Sequence, residues 1–190
     1  MLLINNKKKL AQKIFELKKI GRKINFIPTM GNLHHGHISL IKAAKKKNFV
    51  RLVSIYVNPH QFDDKKDFLR YPRTLSIDKK LLVNEQIDFL FAPENFFFNK
   101  QLNSPTLGTI ANQLCGIDRP SHFQGVAKII INFLDIIHPD YIYLGEKAFQ
   151  QTLIIRKIIK TFNFKTVVKV MPTIRDKKYS SFIEKSIFEK

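Results

Sequence analysis

Residues 23–47 read KINFIPTMGNLHHGHISLIKAAKKK, and this stretch decides the fold class. It opens with a short apolar run closed by proline, which predicts a β-strand over Lys23–Pro28. Apolar residues recur at helical spacing from Gly36 to Lys47, which predicts an α-helix there. A polar loop that contains glycine joins the two. A strand, a loop and a helix in this order are typical of one unit of a parallel α/β sheet.

The rest of the chain repeats this alternation of strand and helix. Four further runs of β-branched and aromatic residues predict strands, and they cover Phe49–Val57, Ile87–Ala92, Asp140–Leu144 and Lys165–Val170. Amphipathic patterns predict helices over Asn6–Ile20, Leu75–Asn84, His122–Ile137 and Lys147–Thr161. The polar stretch Asn58–Arg73 is predicted to be a loop. The whole pattern predicts an α/β fold, with a Rossmann-like parallel sheet and helices on both of its faces.

The net charge of the chain is +18 at pH 7, and its pI is near 10.0. A charge of this size is typical of proteins that bind nucleic acid or an anionic surface. The composition favours a different explanation, because 26 lysines stand against 7 arginines and are scattered along the chain, beside 25 isoleucines. An AT-rich genome produces this bias, whereas proteins that read nucleic acid more often cluster arginine. We therefore expect no nucleic-acid partner.

Several other classes of protein are excluded by simple features. One cysteine, Cys115, is too few for a disulfide framework or a multi-cysteine zinc site. The longest apolar runs, Phe89–Pro93 and Ile129–Ile131, are far shorter than a membrane span. Lysines follow Met1–Ile4 almost at once, which is the wrong order for a secretory signal. These features predict a cytoplasmic protein with no membrane partner.

The loop at residues 29–37 is the first candidate site, because ligands of parallel α/β sheets bind beyond the carboxyl ends of the strands. His34 and His37 are three residues apart, which predicts that they share one helical face. Gly36 leaves room for a phosphate, and the helix start offers unpaired N–H groups. Imidazoles there can stabilise charge on a leaving pyrophosphate. A metal-binding pair and ordinary loop histidines are the alternatives.

A second candidate segment follows the strand Asp140–Leu144. Gly145 permits a tight turn, and Lys147 is a mobile cation suited to a phosphate, although lysines of this kind are more often solvated helix residues. Gln151 lies four residues beyond Lys147 on the same helical face, where its amide can bind a hydroxy acid. Gln61 follows the second strand at the same predicted edge of the sheet.

The remaining polar residues near this edge have simpler interpretations. His60 is interpreted as an ordinary loop histidine. Asp63, Asp64 and Asp67 are interpreted as a solvated acidic patch that balances neighbouring lysines. His122 begins the apolar helix, and it is equally a helix-capping group or a site residue.

Six segments between Phe26 and Arg175 are in register with one known family. PTMGNLHHGH, SIYVNPHQF, RYPRT, FAPE, RPSHFQGV and GEKAFQQ together resemble the pantoate–β-alanine ligases, or pantothenate synthetases, of the nucleotidyltransferase superfamily with a HIGH-type motif. The resemblance implies a Rossmann-like ATP- and pantoate-binding domain over residues 1–175 and a divergent tail over 176–190. It also implies ATP-dependent condensation of pantoate with β-alanine through a pantoyl-adenylate, with Mg²⁺ on the ATP, in a homodimer.

The resemblance also implies roles for individual residues. The second histidine of the motif, His37, matches the catalytic acid, and His34 joins it on the phosphates. Gln61 and Gln151 match the glutamines that hold pantoate, and Gln61 is also implied to lie near β-alanine. No side chain is implied to ligate a metal. The implied ATP-binding residues are Met30, Gly31, Asn32, Leu33, His34, His35, Gly36, His37, Gly145, Glu146, Lys147, Ala148 and Ile174, and weaker site candidates are Tyr71 and Arg119.

The chain departs from the family pattern in two places. Ala148 stands where the family has an aspartate that resembles a partner for the ribose hydroxyls. Ser180 and Ser181 stand for the serines of the family's Ser-Ser-Arg-Asn loop, but Phe182 replaces its arginine. The resemblance implies that most of the family's small C-terminal lid domain is absent from these 190 residues. We therefore expect a form truncated at its C-terminus that is either impaired or completed by another chain, and a degenerate nucleotide-binding remnant is the alternative.

Overall fold

A computed structural model of the chain describes residues 1–96, 98, 99, 102 and 106–174. The strands within this part are β1 (Leu2–Ile4), β2 (Lys23–Thr29), β3 (Phe49–Ile55), β4 (Phe89–Phe91), β5 (Tyr141–Gly145) and β6 (Val167–Met171). They form one sheet in the order β1-β4-β3-β2-β5-β6, and every neighbouring pair is parallel. The predicted Rossmann-like parallel sheet is confirmed.

Helices cover both faces of this sheet. They are α1 (Lys7–Lys19), α2 (His35–Ala43), α3 (Lys65–Arg70), α4 (Leu75–Asn84), α5 (Cys115–Asp118), α6 (His122–Ile137) and α7 (Phe149–Thr161). Side chains alternate along a strand, so Phe26 of β2 packs in the core beneath α1, α6 and α7, whereas Ile27 packs in the core beneath α2 and α4. Burial on both faces explains why the central strands are mostly apolar rather than alternating, although Asn25, Arg51 and Ser54 are buried polar exceptions.

Helix α6 forms the centre of the larger core. Twelve of its sixteen residues are buried, which is the physical reason for its almost continuous apolar sequence. The Phe133 ring lies edge-on to the rings of Phe26 and Phe96, with centroids 5.3 Å away in each case. This packing fixes α6 against the middle of the sheet.

Some predicted boundaries are wrong. The prediction omits β1, because its three residues pair with β4 across a sequence separation that no local pattern reveals. The predicted loop Asn58–Arg73 contains α3, which the Asp64 carboxylate begins by accepting from the N–H of Lys66, 2.7 Å away. The Arg73 guanidinium ends α3 by donating to the carbonyls of Phe68 and Leu69. Helix α2 ends at Ala43 rather than Lys47, and β6 covers 167–171 rather than 165–170.

The direction of winding changes beside β2, which has β3 on one side and β5 on the other. In such sheets a crevice opens at the carboxyl ends of the two strands that flank the change. None of the helices in the described part of the chain has the length and apolar character that a bilayer span requires. Arg175 and the predicted tail 176–190, with Ser180, Ser181 and Phe182, lie outside the described residues.

Candidate active site

The crevice at the carboxyl ends of β2 and β5 is a cavity of about 370 Å³. Its volume is in the range of small-molecule sites. The walls come from the loops after β2, β5 and β6, from α6, and from the segments that carry Gln61 and Tyr71. The residues from the sequence-predicted set that line it are Met30, Gly31, Asn32, His34, Gly36, His37, Gln61, Tyr71, Arg119, Gly145, Lys147, Ala148, Gln151 and Ile174.

Three predicted ATP-binding residues do not line this cavity. The side chain of Leu33 packs against the core beneath α2 and α4. The side chains of His35 and Glu146 are exposed at the surface. The structure therefore brings together both glutamines and both candidate catalytic histidines, but not every residue of the two glycine-containing segments.

The loop after β2 has an unusual backbone at two successive residues. Gly31 has φ +84° and Asn32 has φ +52°, and both values belong to the left-handed region. A Cβ atom added to Gly31 would lie 3.1 Å from Oδ2 of Asp78 and 3.1 Å from Cγ2 of Ile55. Both the conformation and the close packing therefore require glycine at position 31.

Asp78 of α4 holds this loop, and the sequence interpretation missed it. Its carboxylate accepts hydrogen bonds from the N–H of Asn32 (3.0 Å), the N–H of Leu33 (2.8 Å) and the hydroxyl of Thr74 (3.1 Å). The side chain is buried, with 1% of its surface exposed. A signal was present, because Asp78 stands four residues before Leu82 and therefore shares the apolar face of α4.

The two histidines meet in a way that their spacing did not predict. His34 is the N-cap residue of α2, with an extended backbone, and does not belong to the helix. Its Nδ1 accepts from the N–H of Gly36 at 3.1 Å, and Nδ1 of His37 accepts from the N–H of His34 at 3.4 Å. These reciprocal bonds bring the ring centroids to 4.1 Å. The expected face-sharing within one helix is wrong, although the two rings do lie side by side.

Gly36 also has a different role from the predicted one. A Cβ atom there would lie 2.8 Å from Cε1 of the His34 ring, so the missing side chain makes room for that imidazole. The N–H of Gly36, expected to be unpaired at the helix start, is already bonded to His34. This helix start therefore offers histidine rings, more than bare amides, to a ligand.

Both histidines are neutral at pH 7. Burial, and then the neighbouring His34, lower the pKa of His37 from 6.5 to about 3. Burial also lowers the pKa of His34, followed by the charges of Lys147 and His35. Because each Nδ1 accepts a backbone N–H, each neutral ring carries its proton on Nε2. In this tautomer the Nε2–H group of each ring is a hydrogen-bond donor.

The segment after β5 forms the facing wall. A short 3₁₀ turn over Glu146–Ala148 leads into α7, whose N-cap residue is Ala148, and no side chain caps either element. Lys147 is exposed, lines the cavity and lies close enough to lower the pKa of His34. Gln151 lines the same cavity, whereas Gln150 points away and donates to carbonyls before α5.

Gln61 is held by contacts between its loop and the start of α6. The ring of His122 lies 2.9 Å, through Nδ1, from the carbonyl of Gln61. Asn58 donates to the carbonyl of Gly125 at 3.0 Å. A Cβ atom at Gly125 would lie 2.0 Å from the carbonyl oxygen of His60, so this close approach requires glycine. Sequence reasoning left His122 open, and the structure places it in the cavity wall rather than at the N-cap, which is Ser121.

The other residues of this loop are only partly as predicted. His60 does not line the cavity and instead contacts Lys128, 3.3 Å away, and the Phe98 ring. Asp63 is exposed, as predicted, but it also accepts from the backbone N–H of Ser121 at 2.9 Å and from its hydroxyl. This carboxylate therefore fastens the loop to α6.

One wall of the cavity is apolar, and no motif predicted it. Side chains of α6 supply this wall, together with the half-buried Tyr56, and they are Val126, Ile129, Ile130 and Phe133. Such a surface can bury the carbon skeleton of a small ligand. Among the described residues, no group of three or more His, Cys, Asp or Glu side chains is arranged to hold a metal ion.

The sequence of the chain can now be compared with known proteins. A sequence model described as pantoate-beta-alanine ligase matches residues 2–181. The chain belongs to the pantoate–β-alanine ligase family. The family predicted from the six segments is therefore confirmed.

Individual relatives agree with this membership. A pantothenate synthetase of Sulfurihydrogenibium sp. is 40% identical over 178 residues, covering 93% of this chain and 64% of the relative. One from Thermodesulfovibrio yellowstonii is 43% identical over 163 residues, covering 85% and 58%. The chain thus spans about three-fifths of the length of these ligases.

A solved structure of the family has the same fold. The crystal structure of a pantoate-beta-alanine ligase from Francisella tularensis, complexed with beta-gamma ATP and beta-alanine, is similar with a TM-score of 0.83 and 40% identity. The similarity covers 93% of this chain and 69% of that one. The parallel sheet and its covering helices are therefore those of the ligase family.

Proposed function

We propose that this chain catalyses the ATP-dependent condensation of pantoate with β-alanine to pantothenate, through a pantoyl-adenylate. One observation carries the proposal: the His34–His37 pair, Lys147 and the two glutamines line a single cavity beside an apolar wall. The ligase from Francisella tularensis, complexed with beta-gamma ATP and beta-alanine, supports the choice of ligands.

The two loops at the mouth form the nucleotide side of the cavity in this proposal. The Nε2–H groups of His34 and His37 donate to phosphate oxygens, and Lys147 contributes a positive charge from the facing wall. Gly145, Ala148 and Ile174 lie beside the ribose and base. The two histidine rings are held by hydrogen bonds to the backbone before ATP arrives, and such fixed donors lower a barrier at low cost in reorganisation.

The first chemical step needs no strong base. The pantoate carboxylate attacks the α-phosphorus, a new P–O bond forms, and the bond to pyrophosphate breaks with its electron pair leaving on the pyrophosphate. His37, with its neutral ring, stabilises the leaving group by donating from Nε2, which is the form that the acid role takes at this site. Holding the two reactants together supplies most of the remaining acceleration.

The inner part of the cavity is the pantoate side. Gln61 and Gln151 bind the hydroxyl and carboxylate groups of pantoate, and its two methyl groups lie against Val126, Ile129 and Phe133. In the second step, the neutral amine of β-alanine attacks the acyl carbon, a C–N bond forms, the C–O bond to AMP breaks with its electron pair on the AMP phosphate, and the nitrogen releases one proton to solvent. Gln61, which lines the cavity and which the family resemblance implies to lie near β-alanine, is proposed to orient that amine.

Mg²⁺ is proposed to accompany ATP and to neutralise charge on its phosphates. The residues that line the cavity fit this arrangement, because they include no carboxylate. The nearby carboxylate of Asp78 has both oxygens engaged by N–H and O–H donors. The chain therefore contributes histidine and lysine donors, and the cation arrives on the nucleotide.

We also propose a homodimer in the cytoplasm that uses no nucleic-acid partner, as the family resemblance and composition imply. Large apolar side chains at Leu114, Ile117 and Phe149 are exposed. Gln150 joins α7 to the segment that precedes α5, so these residues belong to neighbouring elements. Analytical ultracentrifugation should give twice the chain mass, and a monomer at all concentrations would reject the dimer.

The catalytic proposal is tested by a product assay. The chain is mixed with ATP, Mg²⁺, pantoate and β-alanine, and AMP and pantothenate are quantified; exchange of labelled pyrophosphate into ATP isolates the first step. His37→Ala should abolish both reactions. His60→Ala, which removes an imidazole that does not line the cavity, should retain them. ATP binding without turnover, even at high enzyme concentration, would instead identify a nucleotide-binding remnant.

A further inference from the structure

Asp78 belongs to none of the segments for which ligand contacts have been argued. It lies on α4, it does not line the cavity, and only 1% of its surface is exposed. Buried carboxylates are rare unless their charge is compensated by hydrogen bonds or ion pairs. Its described donors all come from two segments that form cavity walls, the loop after β2 and the segment Tyr71–Thr74.

We propose that Asp78 is a positioning residue of the nucleotide site, which sets the place of the His34–His37 pair by fixing the backbone of Gly31–Leu33. The inference rests on the proposed function, since it takes ATP as the ligand of those histidines. Asp78 acts through the loop and touches no ligand itself.

The loop conformation needs support from outside. Asn32 has a left-handed backbone, a conformation that residues other than glycine adopt uncommonly. Within the loop, the hydrogen bond from the Gly31 N–H to the hydroxyl of Thr29 is long, at 3.2 Å. The two bonds to Asp78, at 3.0 and 2.8 Å, are charge-assisted and therefore stronger. They hold the two residues that lie directly before the His34 N-cap.

The direction of these bonds decides how the loop meets a phosphate. The N–H groups of Asn32 and Leu33 point to Asp78, so they are engaged within the protein. Both histidine rings line the cavity. Their placement depends on His34, whose own N–H donates to His37. A shift of the Gly31–Leu33 backbone therefore moves both rings.

The same carboxylate joins a second wall of the cavity to the first. Thr74 donates to Oδ2 of Asp78, the oxygen that also accepts from Asn32. Tyr71, three residues before Thr74, lines the cavity, and burial followed by the charge of Asp78 raises its pKa. Asp78 therefore holds the loop after β2 and the segment Tyr71–Thr74 in one arrangement.

For the variant Asp78→Asn, a purely electrostatic effect and the positioning role predict opposite changes in the affinity for ATP. Asp78→Asn removes a negative charge near an anion site, and by charge alone it would tighten ATP binding. Positioning predicts weaker binding, because one carboxylate oxygen becomes an NH₂ group that faces an N–H or O–H donor. We expect the ATP dissociation constant to rise about tenfold to a hundredfold.

Asp140→Asn is the matched control. Oδ2 of Asp140 accepts the N–H of Ile24 at 2.8 Å and lies 3.9 Å from Nζ of Lys18, so this variant also removes a carboxylate bonded to the backbone, but at the amino ends of the strands, away from the cavity. Calorimetric titration with ATP should show a change below twofold for this variant. Hydrogen exchange over residues 30–34 should be faster in Asp78→Asn than in Asp140→Asn. The NMR signals of the His34 and His37 rings should shift only in Asp78→Asn.

Each outcome decides the inference. ATP binding by Asp78→Asn that is as tight as in the unsubstituted chain, with unchanged exchange over 30–34, overturns it. If Asp78→Asn does not fold, Thr74→Val removes one of the three bonds and leaves the carboxylate; a rise of about twofold to fivefold in the dissociation constant supports the inference, and no rise overturns it. If the unsubstituted chain binds no ATP, the proposed function fails, and the exchange rates still decide whether Asp78 holds the loop.

Discussion

The two walls that face each other across the mouth of the cavity are built differently. In the loop after β2, the N–H groups of Gly31, Asn32, Leu33, His34 and Gly36 all donate to side chains of the protein. In the segment after β5, no side chain caps the 3₁₀ turn Glu146–Ala148 or the first turn of α7. Both segments follow adjacent strands, so the contrast does not arise from the sheet.

In the proposed function, this difference divides the work of binding between the two walls. The loop after β2 is organised by its own hydrogen bonds before a ligand arrives, so little conformational entropy is lost on binding. The segment after β5 presents helix-start N–H groups and an exposed lysine, which suits contacts that form with the ligand. One wall sets the geometry, and the other adapts to it.

Gly31→Ala should disrupt the loop after β2 and give the largest loss of stability among these variants. The left-handed backbone and the 3.1 Å approaches to Asp78 and Ile55 together should lower the free energy of unfolding by about 3 kcal/mol. The matched change Gly145→Ala meets no atom within 4 Å and should leave stability unchanged or raise it by less than about 1 kcal/mol. Urea unfolding of both variants measures these changes. Equal losses of unfolding free energy would show that the two segments constrain their glycines to the same extent.

The His37 ring should make the organised wall sensitive to acid. Its pKa is about 3 in the folded chain and 6.5 when unfolded, so the unfolded chain binds the proton first as pH falls. This stability contribution is complete above pH 6.5 and is lost as pH falls towards 3.

Between pH 7.5 and pH 5.0 this one group should account for a loss on the order of 2 kcal/mol in unfolding free energy. Over the same pH interval, the unfolding free energy of His37→Asn should fall by about 2 kcal/mol less than that of the unsubstituted chain. Urea unfolding at the two pH values measures the difference. The same loss in both proteins would mean that the His37 ring is not held neutral.

Ala148→Asp should supply the side-chain N-cap that α7 lacks, in the segment after β5. Aspartate is among the best N-cap residues, so the free energy of unfolding should rise by about 1 kcal/mol. If the ribose contact implied by the family is real, ATP should also bind about tenfold more tightly. Ala148→Asn separates capping from charge. An unchanged ATP dissociation constant in Ala148→Asp would reject the ribose assignment.

Lys147→Ala should have the smallest effect of these variants. It tests whether the charge of Lys147 acts on His34 across the mouth of the cavity. Removing this charge should raise the pKa of His34 but leave it below 6.5, because burial is the larger cause of its depression. The pKa of His37, which Lys147 does not perturb, should stay where it is. NMR titration of the two rings measures both values, and Lys147→Arg is the control. An unchanged pKa of His34 would show that the charge of Lys147 does not act on the opposite wall.

The sequence was sufficient wherever the controlling interactions are local or follow from the topology. Runs such as Phe49–Val57 predicted strands because β-branched residues suit a sheet buried on both faces. Once the sheet was predicted to be parallel, the ends of its strands indicated where Gln61, His37 and Lys147 would meet. All three line the cavity. Their roles in catalysis remain predictions.

The misses have a common physical origin in contacts between distant residues. Asp78 receives its two backbone bonds from residues 45 and 46 positions earlier, so its place on the apolar face of α4 is the one local sign of a role, and its partners cannot be predicted from it. The three residues of β1 form a strand only because β4 lies beside them. Asp63 is exposed, yet its bonds to Ser121 cross 58 positions. A polar residue can be interpreted as solvated when its partner lies far along the chain.

The order of the strands has a consequence for the lifetime of the folded chain. The cavity is assembled from segments between Pro28 and Ile174, so it exists only when β2, β5 and β6 are all in place. Any ligand that bridges its walls must leave before those strands separate. At a hundred times its dissociation constant, such a ligand adds about 2.7 kcal/mol to the free energy of unfolding. Binding of a ligand in this cavity therefore lowers the fraction of unfolded chain that proteases can cleave.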